Sequence, residues 1–187
     1  LPGNEISDLS PLSGLTGLTA LGLHKNQISD ISPLANLTVL VQLNLSEHQI
    51  REISPLSGLT NLNELHLTAN QISDISPLSD LTGLMWLYLA GNQIRDISPL
   101  SGLTNLIGLD LDSNQVEDVT PLSRLSRLAL LDMDLNQVDD ISPLSDLISL
   151  TALGIKGNRI HDISPLFDLT DMKGLDYLAS SAYAAST

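Results

Sequence analysis

Leu59-Thr-Asn-Leu-Asn-Glu-Leu-His-Leu-Thr-Ala-Asn-Gln-Ile-Ser-Asp-Ile-Ser-Pro-Leu-Ser-Asp80 is the stretch that decides the fold. Leu65 and Leu67 alternate with Glu64, His66 and Thr68, the period-two signature of a short strand. The leucines must face inward, so Glu64, His66 and Thr68 face out. Ile75-Ser76-Pro77-Leu78 then reads as a helix start, with Ser as N-cap and Pro at the first helical position. So few residues remain before the next unit that this helix can only be a single turn, expected to be 3₁₀.

The same unit of 22 residues recurs without insertion or deletion. Seven full copies begin at Leu15, Leu37, Leu59, Leu81, Leu103, Leu125 and Leu147, with part-copies at 1–14 and 169–178. A strict period of this size means a solenoid, whose units bury their apolar sides only against their neighbours. One solenoid is therefore expected over 1–178. The Ala/Ser-rich stretch 179–187 cannot continue it and is expected to cover its end or fray, with Tyr183 packing on the last turn.

The period also separates construction from recognition. Asn70 recurs as Asn4, Asn26, Asn92, Asn114, Asn136 and Asn158, an inward amide suited to satisfying buried backbone groups. A hydroxyl residue precedes Pro in all eight return turns: Ser10, Ser32, Ser54, Ser76, Ser98, Thr120, Ser142 and Ser164. Ahead of it stands an acid: Asp8, Asp30, Glu52, Asp74, Asp96, Asp118, Asp140 or Asp162. Such a carboxylate can accept from turn N–H groups. Removing these eight from the 22 acids leaves 14 whose placement can carry recognition.

The net charge of −14 excludes nucleic acid, which needs a basic footprint, and disfavours anionic membranes. Without cysteine there is neither a disulfide framework nor a thiolate metal site. No apolar run reaches the roughly 18–20 residues that span a bilayer. Aromatics make up only 3%, so the interior must be aliphatic. No Ser-His-Asp arrangement, phosphate loop or zinc spacing occurs, so neither catalysis nor a cofactor is expected.

The pattern Leu-x-x-Leu-x-x-Leu-x-Leu-x-x-Asn-Gln-Ile-x-Asp-Ile-Ser-Pro-Leu covers residues 1–178 and resembles the leucine-rich repeat of the bacterial internalin type. The resemblance implies an α/β fold: a right-handed solenoid with a parallel concave sheet and short 3₁₀ turns on the convex side. It also implies that the concave sheet binds other proteins, and that the protein is extracellular or on the cell surface. The helical cap and immunoglobulin-like domain that flank the internalin array are not seen, and Leu1 aligns with Leu23, as in a fragment or a weakly capped array.

Two features vary on the outward strand positions. Trp86, the only tryptophan, sits there with Met85 and Tyr88. An outward aromatic pair on a rigid sheet has the composition of a binding hot spot. Gly108 in the next rung leaves room for the ring or for a ligand. The alternative is that Trp86 folds flat and shields the sheet.

Beside the aromatics, Asp110 and Asp112 on one strand and Asp132 and Asp134 on the next form a rectangle of roughly 5 by 7 Å. Like charges this close should raise some of their pKa values. The block fits three readings: a site for Lys or Arg of a partner, solvated charge with no ligand, or a Ca²⁺ site. Leu130 and Leu135 give it an apolar rim.

The expected partner is a protein or peptide with a basic, partly apolar surface, bound by a monomer through Glu64, His66, Met85, Trp86, Tyr88, Asp110, Asp112, Leu130, Asp132 and Asp134. A calcium-dependent binder of glycan or protein is the second reading, and a structural or engineered scaffold the third. The absence of indels favours a scaffold, whereas Met133, Ile148, Phe167 and His48 look like natural drift. His24 and His66 are expected to be solvated and His161 exposed. His48, in place of the ladder Asn, reads as a tolerated substitution with a local loop adjustment.

Overall fold

The computed structural model describes residues 1–175. Among them run eight strands: β1 (Ala20–Gly22), β2 (Gln42–Asn44), β3 (Glu64–His66), β4 (Trp86–Tyr88), β5 (Gly108–Asp110), β6 (Leu130–Asp132), β7 (Ala152–Gly154) and β8 (Gly174–Leu175). They form one parallel sheet in chain order. The register is the sequence period itself, with Leu43, Leu65, Leu87, Leu109, Leu131 and Leu153 in one row. Between strands lie short 3₁₀ turns such as Ser76–Leu78, each with Pro at its first or second position. The α/β leucine-rich-repeat solenoid is thus the observed fold, with the sheet on its concave side.

Each turn contributes the same aliphatic set to a continuous core. Leu65, Leu67, Ile72, Ile75 and Leu78 are at most 1% exposed. Each such burial stabilises by about 1.5–3 kcal/mol relative to an exposed side chain. The last turn, Ser164–Leu166, buries none of its residues, and Phe167 beside it is 86% exposed. Asp176, Leu178 and Tyr183, with the whole stretch 179–187, lie outside the described residues.

The asparagine column forms the expected ladder. Asn70 Oδ1 accepts the Ile50 N–H at 3.0 Å, and its Nδ2 donates to Leu45 O at 2.8 Å and Leu67 O at 3.0 Å. One amide therefore ties two successive turns. Just before it the chain reverses through positive φ, at Lys25, Glu47, Ala69, Ser113 and Leu135, and at Gly91 and Gly157 where glycine makes this costless.

The return turns differ from expectation in one respect. The hydroxyl residue is the first residue of the 3₁₀ turn, and no side chain caps from the position before it. The acid two residues earlier accepts from the turn as expected, and it does the capping alone: Asp74 Oδ1 accepts the Ser76 N–H at 2.8 Å. The same 2.8 Å bond recurs at Asp8, Asp30, Asp96, Asp118, Asp140 and Asp162. A short carboxylate reaches this N–H directly, and the serine hydroxyl turns back to the acid, as Ser10 Oγ does to Asp8 Oδ2 at 2.9 Å. The backbone bond, then the hydroxyl bond, hold Asp8, Asp30, Asp74 and Asp162 below the usual carboxylate range; at Asp118 the Thr120 hydroxyl leads. These groups stabilise the fold above the unfolded carboxylate pKa and lose that contribution as pH falls through the folded one.

His48 breaks the ladder. It is 7% exposed, and its Nδ1 accepts the Asn26 N–H at 3.3 Å. Its Nε2 is buried without a hydrogen-bond partner. A ring cannot present an oxygen to the preceding Ile N–H and an N–H to two carbonyls as an amide does. His48→Asn should therefore raise the urea midpoint, with a gain of about 1–2 kcal/mol. An unchanged or lower midpoint would show that the packing of the ring outweighs the lost bonds.

Candidate functional site

The aromatic and acidic residues do meet on the concave face. Glu64, Trp86, Gly108 and Leu130 follow one another across the register, as do His66, Tyr88, Asp110 and Asp132. Their availability is uneven. Met85, Trp86, Leu130, Asp110, Asp112 and Asp134 are half-buried. Tyr88 is only 4% exposed and Asp132 only 7%.

The burial of Tyr88 corrects the expectation of an exposed aromatic pair. His66 stacks on it with ring centroids 4.2 Å apart and planes 16° from parallel. His66 in turn is not solvated: its Nε2 lies 2.7 Å from Glu64 Oε1, and Gln42 Nε2 donates to Glu64 Oε2 at 2.9 Å. His24 is also half-buried, with an Nδ1 that is buried and unpartnered. On a sheet with rungs about 4.8 Å apart, neighbouring large side chains shade one another. His161 is exposed as expected.

Two glycines on this face, Gly108 and Gly154, receive side chains from the preceding repeat. A Cβ built on Gly108 would run into the Trp86 ring, so the indole lies over that glycine. A Cβ on Gly154 would stand 2.6 Å from Asp132 Oδ1 and 2.9 Å from Asp134 Oδ1. The space that Gly108 leaves is thus taken by the ring, in line with the shielding alternative. Leu135, at 56% exposed, forms an apolar rim to the acids.

Within the block the carboxylates turn to backbone donors. Asp110 Oδ1 accepts the Asp112 N–H and Asp132 Oδ1 the Asp134 N–H, each at 3.1 Å. Asp134 Oδ1 also takes the Lys156 N–H at 2.8 Å. Burial pushes Asp110 up to about 7; the Asp112 N–H opposes this, and the charges of Asp132, Asp112 and Asp134 add to it. Desolvation thus leads and like-charge repulsion follows. Among the described residues no group of three or more His, Asp or Glu side chains is placed to hold a metal ion.

A second feature was not singled out in the sequence. Ala20, Gly22, His24, Gln42, Asn44, Glu64 and His66 line a depression of about 280 Å³ over β1–β3. The signal available was the pair of small residues Ala20 and Gly22 at successive outward positions beside two amides.

The fold and this face define a leucine-rich-repeat domain, and the comparisons narrow it. The family described as Leucine Rich repeats (2 copies) matches residues 38–80 and 84–124. Internalin C2 from Listeria monocytogenes is 43% identical, with a TM-score of 0.90, over 91% of this chain and 76% of that one. An internalin, InlF, from the same species is 36% identical with a TM-score of 0.78, over 93% of this chain and 58% of that one. The chain therefore belongs to the internalin type of leucine-rich-repeat proteins. The plant peptide hormone receptor RGFR1, solved in complex with RGF2, shares the fold at 20% identity and a TM-score of 0.80. No curated protein sequence matches the chain. Among the described residues no helix is long and apolar enough to cross a membrane.

Asp110 makes the face sensitive to pH. With a folded pKa near 7 against an unfolded value of about 3.9, the folded chain binds more protons between these limits. Stability from this group therefore falls as pH rises from about 4 to about 7, then levels off. Asp110→Asn keeps the oxygen that accepts the Asp112 N–H. Its melting temperature should match the parent near pH 4 and exceed it increasingly up to pH 7–8. A pH-independent difference would contradict the assignment.

Proposed function

We propose that this chain is a non-enzymatic recognition module that binds a protein or peptide on its concave sheet. The observation that carries this reading is the block of Asp110, Asp112, Asp132 and Asp134 crowded beside the half-buried Trp86 ring. Burial opposes the ionisation of Asp110 there, a cost that the backbone donors within the block only partly offset. Cations brought by a partner would offset that cost. A basic surface with some apolar area suits both the acids and the rim formed by Met85, Trp86, Leu130 and Leu135.

The burial pattern divides the roles. Trp86 offers an indole edge fixed over Gly108, while Asp112 and Asp134 present half-exposed carboxylates. Tyr88 and Asp132 lie largely buried behind them, with Asp132 Oδ1 accepting the Asp134 N–H.

The test begins with a pull-down comparing the parent chain with a Trp86→Ala/Asp132→Asn double variant. A partner kept by the parent and lost by the variant is then studied kinetically. Trp86→Ala should speed dissociation by about tenfold. Asp112→Asn/Asp134→Asn should slow association and flatten its salt dependence. A partner whose kinetics ignore both changes binds elsewhere, and the reading of this face fails.

A further inference from the structure

We propose that the depression over β1–β3 is a receptor site for an arginine side chain of the protein partner, separate from the Asp110–Asp134 block. The inference rests on the reading of the chain as a protein-recognition module and adds a second contact point to it.

The floor is small. Ala20 and Gly22 lie at successive outward positions of β1, and no atom stands within 4 Å of where a Gly22 Cβ would be. At Gly108 and Gly154 the corresponding space is filled by side chains of the chain itself. The volume of about 280 Å³ admits one long side chain, and the exposed Ala20 can pack against an aliphatic stem.

The wall supplies acceptors. Gln42 and Glu64 are cross-strand neighbours in the parallel register, about 4.8 Å apart at the backbone. Gln42 Nε2 is committed to Glu64 Oε2, which leaves Gln42 Oε1 without a donor among the described residues. Glu64 is held on its other side by His66, and their side chains are only 12% and 13% exposed. The Tyr88 ring stacked on His66 keeps that wall in place. A fixed, largely desolvated carboxylate beside a solvent-facing amide oxygen matches the planar fork of a guanidinium better than the point charge of an ammonium. Asn44 Oδ1 accepts the Ser46 N–H at 3.0 Å. Its Nδ2 is left to donate to the backbone carbonyl of the chain that brings the arginine. The charge of −14 favours the approach of such a chain.

The experiment is an NMR titration of the ¹⁵N-labelled chain at low ionic strength with the capped peptide Ac-Gly-Arg-Gly-NH₂. The lysine and citrulline peptides serve as controls, and the amide resonances of Gly22, Leu43 and Asn44 with the Gln42 side-chain amide report the site. Arginine should shift these resonances saturably, at least about threefold more tightly than lysine. Citrulline, which keeps the shape and loses the charge, should not saturate. Gly22→Val fills the depression in a conformation a strand residue tolerates, so it should abolish these shifts while the melting temperature stays unchanged.

Equal effects of citrulline and arginine, or shifts that survive Gly22→Val, would overturn the proposal. Saturable shifts confined to Asp112 and Asp134 would also overturn it while leaving the recognition module standing. Silence at both places, for every peptide, would count against both readings.

Discussion

Every turn of this solenoid depends on one constraint: backbone polar groups buried between coils must find partners. Backbone bonds between turns serve the strands and some bend positions, as from the Ala69 N–H to Ala90 O at 2.8 Å, but the bend after each strand still leaves carbonyls and an N–H inside the coil. The asparagine amide meets both demands at once, with one oxygen toward the previous turn and one nitrogen toward carbonyls of both turns. An unpaired buried group costs about 1–3 kcal/mol, and the penalty would recur in every repeat. The strict period follows, because an inserted residue would move the amide out of reach of both neighbours.

The same economy of contacts shapes the outer faces. On the convex side a carboxylate holds the first N–H of each 3₁₀ turn, so most of one acidic column is absorbed by construction. Glu52 is the exception: no such bond to Ser54 forms among the described residues. On the concave side the rungs are close enough that a glycine can be covered by a large side chain of the preceding rung. Trp86 covers Gly108 and the aspartates cover Gly154 in this way, whereas Gly22 stays open. The face is consequently less open than a count of outward residues suggests. What stays open on it are its edges and rims, together with the part of the sheet over β1–β3 that the chain leaves unfilled.

Electrostatics on this face follow from burial rather than from proximity alone. Asp110 is shifted mainly because it loses water, and only secondarily by the three other carboxylates. The backbone donors at Asp112 and Asp134 partly offset that loss. Glu64, on the same face, is held by the Gln42 amide and the His66 ring. Acids placed by identical repeat geometry therefore differ in character according to which neighbours the adjoining repeats happen to supply.

By itself the sequence determined the coil: its strands, its return turns, the leucine rows, the asparagine ladder and the family. These are set by local periodicity, and each repeat states them again. It also brought Trp86, Tyr88 and the four aspartates onto one face, because register equals period. Only the tertiary structure decided how those side chains share space. It buried Tyr88 under His66, laid Trp86 on Gly108, set the serine inside the 3₁₀ turn rather than at its cap, and left His48 with an unmet ring nitrogen. It also opened the depression at Ala20 and Gly22. The physical reason is that outward residues of adjoining rungs lie about 4.8 Å apart. At that spacing rotamer choice and shading depend on both neighbours, which are 22 residues away in each direction and carry no local signal.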